Sequence, residues 1–582
     1  MELPDHSSSS LKKGVVDRFF FRLHTLKASD AFLLKGVLLI TVVFFTLFLI
    51  RQSLEHTVLI PAPGGTLSEG VVGTPRFANP VLAVTRADRD LTALVYDGLM
   101  SLGVDGALVP NVAESITVSE DGLTYNIILR SDVKFHDGTF LTARDVVFTI
   151  NRIQDPLLAS PLRANFDGVT AEEIGEHELN LILPEAYAPF TENLTFGILP
   201  EHIWKEAGSD EFPFSQRNSE PIGTGAYKVG KIVRNASGIP ETYILEANAE
   251  YHVRTPQIKT LELHFYPTEE KLIQAFKKGL IQSVVGVDPA RISEYNLSPS
   301  THHLERIPLP RTFAAFINQN KSPALHDISA RKALDAAIDR KALVEAVLGG
   351  YGNTITTPVP KGFGTTEASS SETALNTIET ARKILKDGGW EMNPETETWE
   401  KEIDKTKIPL SFSIATVNNS TFEATALFLQ NAWKALGAEV VIKQFEQSDL
   451  TQAIIRPRDY EVLLFGTQLG RSLDFYSFWH SSQRVDPGLN IALYTNITTD
   501  SILTEMRRST NTEGKNEAIN KFVSEIQKET PAIFLYSPEL LYIFPNQVTG
   551  ASFKGVGEPH ERFSRVYDWF IETESVWPVF TE

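Results

Sequence analysis

The sequence predicts an α/β fold with mixed sheets, preceded by a single transmembrane helix. Three observations support this prediction. A segment of twenty residues that is apolar except for one charge occupies positions 31–50. Segments with the alternating pattern of strands and segments with the 3.6-residue period of helices follow each other along the remaining chain. Finally, 582 residues exceed what one hydrophobic core supports, so we expect at least two packed units.

The apolar segment from Ala31 to Ile50 has the length of a membrane anchor. A helix of that length rises about 30 Å, which matches the hydrocarbon thickness of a bilayer. Its one charged residue is Lys35, which lies close enough to the inner end to reach the headgroups. Arg51 follows without the small residues of a cleavage site, so we expect an anchor that stays on the mature protein. A cleaved signal peptide and a buried helix of a soluble protein are the alternatives.

Charge is distributed unevenly along the chain. Residues 1–51 carry seven basic and four acidic side chains, whereas the whole chain has a net charge of −19. Because the basic residues precede the apolar segment, we expect residues 1–30 to form a cytoplasmic tail, residues 31–51 the anchor and residues 52–65 a tether. The acidic body is then exported. A nucleic-acid partner is disfavoured, since phosphate binding needs an excess of Lys and Arg.

The chain contains no cysteine. Disulfide bonds, thiolate metal sites and a cysteine nucleophile are therefore excluded. A lipid-modified N-terminal cysteine is excluded as well, so any attachment to a membrane has to be made by the polypeptide itself.

Periodicity predicts the secondary-structure elements of the body. Thr142 and Ser329 are the expected N-caps of two helices. In the tail, 568–582, Trp569 and Trp577 are expected to pack against the body, and the Gly-, Ser- and Thr-rich segment 361–373 is expected to be a surface loop. Strands are predicted at 66–73, 123–129, 260–266, 311–318 and 438–445, and helices at 142–152, 329–347 and 420–436.

Four stretches carry the motifs of one protein family. They are SEDGLTYNIILRSDVKFHDGTFLTARDVVFTINR ending at Arg152, PIGTGAYKV at 221–229, AFINQN with ARKALDAAIDRKALVEAVLGGYG within 313–351, and FWHSSQ with GLNIALY within 474–494. In order and spacing they resemble the bacterial ABC-transporter solute-binding proteins of family 5, the peptide- and nickel-binding type. The resemblance covers nearly all of residues 66–545.

The resemblance implies a two-lobed, periplasmic-binding-protein-like fold of type II, with an extra domain inserted in the first lobe. It places lobe I at 66–100, 219–305 and 536–582, the inserted domain at 101–218 and lobe II at 306–535. It also implies a monomeric extracytoplasmic protein that captures a peptide or similar solute between its lobes and delivers it to an ABC permease, without cofactor or metal. A membrane-anchored extracellular hydrolase and a ligand-binding sensor or scaffold without transport are the alternatives.

The motifs contain no catalytic constellation. The FHDG segment is interpreted as a turn, and a metal at His136 is disfavoured because no second ligand lies at metal spacing. The glycines of PIGTG lack the third glycine of a dinucleotide fingerprint. The chain has no GxSxG and no HExxH, and Ser131-x-x-Lys134 is interpreted as a chance match. These observations favour binding over hydrolysis.

The resemblance implies that three loops line the cleft between the lobes. They are residues 74–80, the strand end 317–319 and the loop 470–479. For Trp479 a place in the hydrophobic core is an equally good interpretation. The candidate ligand contacts in these loops are Arg76, Phe77, Asn79, Asn318, Gln319, Arg471, Asp474, Tyr476 and Trp479.

Arg471 departs from the family pattern. In peptide-binding relatives this position, three residues before the match to Asp474, holds a carboxylate that pairs with the peptide α-amino group. An arginine cannot hold an ammonium group, so the clamp is either moved to Asp474 or absent. Arg471 can instead receive a ligand carboxylate in a bidentate arrangement. A local surface pair between Arg471 and Asp474 is the alternative to both interpretations.

Overall fold

The computed structural model describes residues 27–363, 378–509 and 512–577. They divide into two units, one containing residues 27–62 and 572–577, the other being the body, Pro63–Ile571. Most of the predicted cytoplasmic tail, most of the predicted surface loop 361–373 and the last five residues of the chain lie outside the described residues.

Strands and helices alternate along the described chain. The strands are β1 (Val58–Ala62), β2 (Gly64–Val72), β3 (Met100–Leu102), β4 (Leu108–Pro110), β5 (Ala113–Val118), β6 (Thr124–Leu129), β7 (Thr170–Gly175), β8 (Glu178–Ile182), β9 (Tyr227–Arg234), β10 (Pro240–Ala247), β11 (Ile258–Tyr266), β12 (Ser283–Val285), β13 (His302–Pro308), β14 (Arg311–Ile317), β15 (Gly352–Thr354), β16 (Glu391–Met392), β17 (Trp399–Ile403), β18 (Thr406–Pro409), β19 (Ser411–Val417), β20 (Glu439–Phe445), β21 (Val462–Gln468), β22 (Ala532–Pro545) and β23 (Glu572–Val576). The helices are α1 (Ala28–His56), α2 (Arg86–Val95), α3 (Ala143–Gln154), α4 (Glu201–Trp204), α5 (Glu269–Lys277), α6 (Pro323–His326), α7 (Ile328–Ala336), α8 (Arg340–Leu348), α9 (Ile378–Asp387), α10 (Ser420–Leu436), α11 (Gln447–Asp449), α12 (Tyr476–Trp479), α13 (Ile497–Arg508) and α14 (Thr512–Glu529).

The first unit consists of α1 and a two-stranded antiparallel sheet. Within α1, Phe32–Arg51 is long and apolar enough to cross a membrane, with a mean hydropathy of 2.6. β1 pairs with β23, the last strand among the described residues. Within the predicted tether at 52–65, α1 continues to His56 and β1 follows as a paired strand.

Most strands of the body belong to one large mixed sheet. Its order is β20-β19-β21-β14-β22-β12-β2-β11-β10-β9, and β13 and β15 also pair with β22. β11 and β12 run parallel to β2, and β19 runs parallel to β20 and β21, whereas β22 is antiparallel to its partners. The predicted α/β class with mixed sheets is confirmed.

Two adjacent backbone crossings connect the halves of this sheet. β22 pairs with β14 in its first half and with β13 in its second half. Between β13 and β14 lie Leu309 and Pro310, and the Ser537 hydroxyl on β22 donates to the Leu309 carbonyl at 3.3 Å. The two crossings lie side by side and antiparallel, and such paired crossings can act as a hinge between two lobes. Lobe I contains β2 and β9–β13, and lobe II contains β14 and β19–β21.

Along the chain, the segment between α2 and β9 forms a separate antiparallel sheet of order β5-β6-β8-β7. Helix α3 packs on it, and the two share a core of fully buried residues that includes Tyr125, Ile127, Val146, Ile150 and Leu181. The predicted strand at 123–129 and the predicted helix at 142–152 are confirmed, and both belong to this sheet and helix layer.

The FHDG and PIGTG motifs contact each other. The His136 backbone N–H donates to the Gly223 carbonyl at 2.8 Å, and its Nε2 lies 3.0 Å from the Gly225 carbonyl. A Cβ at Gly223 would lie 2.1 Å from the Val95 carbonyl at the end of α2, so only glycine fits. Gly138 has φ +90° in the turn. Both motifs therefore hold the inserted sheet against lobe I.

The predicted single helix at 329–347 is two helices, α7 and α8. Asp327, rather than the predicted Ser329, caps α7, because its carboxylate accepts the Ser329 backbone N–H at 2.8 Å. Asp339 caps α8 by accepting the Ala342 backbone N–H at 2.9 Å. Each Asp is an N-cap, and because Asp339 lies within the amphipathic pattern, a second helix starts there instead of the first continuing.

The other predicted elements are present with small shifts at their ends. The helix at 420–436 and the strands at 66–73, 260–266, 311–318 and 438–445 are confirmed. In the tail, Trp569 is fully buried as expected, whereas Trp577 is 38% exposed.

Candidate ligand-binding site

The loop after β21, residues 469–475, leaves lobe II beside the hinge and is called here the lobe II loop. In the β14–β21 register Arg311 lies opposite Gln468, and the Leu469 N–H donates to the Pro310 carbonyl at 2.8 Å. Leu473 and Phe475 are buried in the core of lobe II and fix the loop from one side. Its polar residues are free to contact lobe I and the inserted domain.

Arg471 of the lobe II loop binds lobe I. Its Nε donates to the Gly555 carbonyl at 2.8 Å, and its Nη2 forms an ion pair with Glu561. Burial acts to raise the pKa of Glu561, but the Arg471 guanidinium outweighs it and the pKa is lowered. The proposed ligand carboxylate at Arg471 stays a prediction, and in this structure Glu561 of the protein itself occupies the guanidinium.

Asp474 has a different partner. Arg507 of α13 donates to its carboxylate, with Nη2 to Oδ2 at 2.7 Å, and the Tyr187 hydroxyl donates to Oδ2 at 3.2 Å. The Arg507 guanidinium lies 3.9 Å from the centroid of the Tyr476 ring. The alternative of a local pair between Arg471 and Asp474 is therefore wrong, because each side chain is engaged elsewhere.

Glu192 brings the inserted domain to the same loop. It lies in a short 3-10 helix, Ala188–Thr195, and its carboxylate accepts the Ser472 backbone N–H. Burial raises the pKa of Glu192, and the positive charge of Arg471 opposes this shift. Burial also disfavours the charged form of Lys515 on α14 and lowers its pKa, and the nearby negative charge of Glu192 opposes this shift. All three folded parts of the body meet at the lobe II loop.

Two arginines flank one carboxylate next to this loop. Glu558 Oε2 lies 3.6 Å from Arg89 Nη1 and 3.9 Å from Arg311 Nη2. Arg311 Nε donates to Gln468 at 2.9 Å, and Gln468 donates in turn to Glu558. Arg86 lies one turn before Arg89 on α2. Burial lowers the pKa of Arg311, and the Glu558 charge opposes that shift.

The predicted loop 74–80 is held by α2. The backbone N–H groups of Arg76 and Phe77 donate to Asp88 at 2.6 and 2.8 Å, and the exposed Arg76 guanidinium lies 5.0 Å from the Phe77 ring centroid. Asn79 differs from the expectation, because it is fully buried and its amide bonds Asn218 and the Val81 N–H. It is a structural residue in this conformation.

Asn318 and Gln319 do not join the other candidates. The β14–β21 register pairs Arg311 with Gln468 and Ile317 with Val462, so Asn318 lies at the far end of β14 from the lobe II loop. At about 3.3 Å per residue this separation is roughly 20 Å. Antiparallel pairing with β21 thus places the beginning of β14, and not the predicted strand end 317–319, beside the lobe II loop.

Trp479 belongs to the core of lobe II. It is 3% exposed and contacts the rings of Phe316 and Phe534, with centroids 6.1 and 5.9 Å away. Of the two interpretations offered by the sequence, the core position is the one observed.

Sequence reasoning missed the charged residues that meet the lobe II loop. No motif marked them, because they lie on elements far apart in the chain. Only Arg311 offered a signal, since it is a charge at the start of a predicted apolar strand. They are Arg86, Arg89, Glu192, Arg311, Arg507, Lys515, Glu558 and Glu561. Within residues 27–363, 378–509 and 512–577, no group of three or more His, Asp or Glu is arranged to hold a metal ion.

The sequence matches the profile described as bacterial extracellular solute-binding proteins, family 5 Middle, over residues 107–486. The oligopeptide-binding protein AppA of Bacillus subtilis is 26% identical over 536 residues, which cover 88% of this chain and 92% of that protein. The nickel-binding periplasmic protein of Escherichia coli is 26% identical over 405 residues, covering 68% and 73% of the two chains.

A solved structure has the same fold. The ABC transporter substrate-binding protein CtaP of Listeria monocytogenes superposes with a TM-score of 0.71 at 25% sequence identity. The superposition covers 88% of this chain and 99% of that one. The likeness therefore extends over both lobes and the inserted domain.

Proposed function

The chain belongs to the bacterial extracellular solute-binding proteins of family 5, and from this premise we propose that it captures peptide-like solutes between its lobes and delivers them to an ABC permease. Relatives named for oligopeptide and nickel binding support a small extracytoplasmic solute as the ligand. Peptides are the favoured solutes, because AppA of Bacillus subtilis, named for oligopeptide binding, is similar over 88% of this chain and the nickel-binding protein over 68%.

The observation that carries the proposal is the double crossing at the hinge. β22 and the β13–β14 connection are adjacent strands of one sheet, so lobe II can rotate about them without breaking the core of either lobe. The polar groups of the lobe II loop, of α2 and of the segment 555–561 lie beside this hinge. A solute held there contacts both lobes and is enclosed when they close.

The site comprises the residues that remain accessible at this junction. Arg76 and Phe77 on the loop before α2, and Arg471, Asp474 and Tyr476 on lobe II, stay as proposed ligand neighbours. Arg471 and Asp474 already have protein partners, so a ligand group has to compete with Glu561 and Arg507 for them. Asn79, Asn318, Gln319 and Trp479 are not proposed, for the structural reasons given above.

We propose that α1 anchors the protein in the cytoplasmic membrane, with the N-terminus inside and the body on the extracytoplasmic face. The length and hydropathy of Phe32–Arg51 and the preceding basic residues support this orientation. The body is proposed to be monomeric.

The boundary between the lobes is proposed to lie at the hinge, at 308–311 and near 537–539. These positions are a few residues beyond the lobe boundaries expected at 305/306 and 535/536.

We further propose that the protein binds its solute without chemical turnover. Arg471 is paired with Glu561 and Asp474 with Arg507, and among these four residues there is no nucleophile with an adjacent base. Incubation of the full-length protein with a peptide pool should leave every peptide intact. Cleavage that is lost on one side-chain substitution would contradict this part of the proposal.

The proposal is tested by identifying what the protein carries. Full-length protein is extracted from membranes in detergent, and its bound small molecules are released by acid and identified by mass spectrometry. Peptides or peptide-like solutes are the expected result. As a control, protein that has been unfolded, washed and refolded should be empty and should rebind the same molecules. Absence of any retained solute, together with failure to rebind a randomised peptide pool, would refute peptide capture.

A further inference from the structure

The guanidinium group of Arg86 lacks hydrogen-bond partners, and those of Arg89 and Arg311 share one carboxylate, Glu558. Arg86 Nε and Nη2 are buried and make no hydrogen bond within the described part of the chain. The nearest carboxylate, Asp90, is 3.9 Å from Arg86 Nε. Buried donors without acceptors cost free energy, so an acceptor absent from the protein itself is favoured at this position.

The surrounding carboxylates are committed to other arginines. Asp90 and Glu69 bind Arg562, with Asp90 Oδ1 at 2.7 Å from Nη1, and Glu561 binds Arg471. Burial lowers the pKa of His560, so this neighbour does not add a stable positive charge. Glu558 is left as the one carboxylate shared by Arg89 and Arg311, at 3.6 and 3.9 Å. The cluster therefore carries excess positive charge inside a protein of net charge −19.

The cluster is accessible and includes both lobes. The side chains of Arg86, Arg89 and Arg311 are 30%, 38% and 35% exposed. Arg86 and Arg89 lie on α2 of lobe I, whereas Arg311 is the first residue of β14 in lobe II. A ligand that binds all three therefore contacts both sides of the hinge and favours whichever interlobe angle brings them closest.

We propose that Arg86, Arg89 and Arg311 form an oxyanion subsite that receives a carboxylate of the captured solute. The proposal rests on the proposed function and deepens it, because it requires the solute to carry a free carboxylate. The planar fork of a guanidinium donates two parallel hydrogen bonds to a carboxylate. Glu558 occupies the edge of the subsite in the absence of solute and lowers its affinity for anions.

The first experiment measures retention of peptides by full-length protein in lipid nanodiscs. The two probes are a randomised tetrapeptide pool with free C-termini and the same pool as C-terminal amides, each quantified by mass spectrometry. Wild-type protein should retain the free-acid pool about tenfold better, the ratio expected for one charged hydrogen-bonded contact. Arg89→Gln and Arg311→Gln should remove this preference. Arg144→Gln is the matched control, because Arg144 is exposed on α3 and pairs with Glu173 at 3.5 Å.

Substitution of Glu558 should raise the retention of the free-acid peptides, whereas the arginine substitutions lower it. Glu558→Gln removes the competing charge and keeps the amide oxygen for Gln468, so retention of the free-acid pool should rise severalfold. A substitution that only damaged the fold would lower retention of both pools. Equal retention of acids and amides by the wild type, or reduced retention by Glu558→Gln, would overturn the subsite while peptide capture stands.

A third probe separates the possible sources of the anion. Inorganic phosphate should compete with the free-acid pool only weakly, because it makes no other contact with the cleft. If neither peptide pool is retained but phosphate binds and its binding is lost in Arg311→Gln, peptide capture fails and the subsite belongs to free oxyanions. That outcome overturns the assignment to a solute carboxylate.

Discussion

Arg562 has a fully buried guanidinium in lobe I. It binds Asp90 and Glu69, and the Tyr542 hydroxyl donates to Glu69 at 2.6 Å. The hydrogen bonds among these residues compensate for the cost of burying their charges. The segment around Arg562 also contains Glu558 and Glu561, so this network fixes the position of the carboxylates that meet the lobe II loop.

Removing Arg562 should destabilise the protein strongly. In Arg562→Met two carboxylates remain buried without their partner, and the expected loss is about 3 to 5 kcal/mol of unfolding free energy. Chemical denaturation of the full-length protein measures it. Arg291→Met is the control, because Arg291 pairs with Glu294 near the surface at 2.8 Å and should cost no more than about 1 kcal/mol. Equal effects of the two substitutions would contradict the structural role.

Asp327 makes stability depend on pH. Burial alone would raise its pKa, but hydrogen bonds from Lys401 and Ser329 outweigh burial and lower the pKa to about 2. Because the folded pKa is depressed, the stabilisation is fully present above the ordinary value near 4 and is lost as the pH falls toward 2.

Asp327→Asn should therefore lower the unfolding free energy by about 2 kcal/mol at pH 7, with a difference that shrinks below pH 4. Denaturation curves of both proteins between pH 2 and pH 7 provide the measurement. Asp459→Asn, at a 64% exposed carboxylate paired with Lys321, should change stability by less than about 0.5 kcal/mol. A pH-independent difference for Asp327→Asn would show that the effect is not electrostatic.

At the scale of elements, periodicity predicted the presence of helices and strands better than their continuity. The pattern from 329 to 347 stays amphipathic through the break between α7 and α8, so only the side-chain caps reveal it. The place of Asn318 relative to the lobe II loop was missed for a related reason. Sequence periodicity predicts β14 but not the direction of its pairing with β21, which decides the end that meets the hinge.

Asp339→Ala tests how much the N-cap contributes to the stability of α8. Loss of the bond to the Ala342 N–H removes a helix N-cap, at a cost of about 1 kcal/mol. Asp339→Asn retains an acceptor at the same position and should be close to wild type. The thermal midpoint of the three proteins at one concentration provides the comparison. A loss in Asp339→Asn equal to that in Asp339→Ala would indicate a role other than capping.

At the scale of the whole molecule, the family motifs predicted the fold because they are structural. FHDG and PIGTG contact each other where the inserted sheet meets lobe I, so their spacing is set by the fold. The charged residues around the lobe II loop were not predictable in this way. Glu192, Arg311 and Glu561 lie on three separate parts of the chain, and only the folded topology brings them together.

The membrane anchor gives a prediction for the whole molecule. N-terminal sequencing of protein isolated from membranes should find residues 1–51 intact, because no small-residue cleavage site follows the apolar segment. Alkaline carbonate washing should leave the protein in the membrane pellet. A mature chain that begins after Ile50 would identify the segment as a cleaved signal peptide instead.

Closure of the two lobes on a peptide is the central claim, and interlobe fluorescence energy transfer measures it directly. The chain has no cysteine, so the exposed sites Lys231→Cys in lobe I and Lys443→Cys in lobe II can be labelled specifically. Lys231→Cys with Lys271→Cys, both in lobe I, is the control pair. Addition of the free-acid tetrapeptide pool should change transfer saturably between the lobes and leave the control pair unchanged. Transfer that stays constant at every pool concentration would contradict the account.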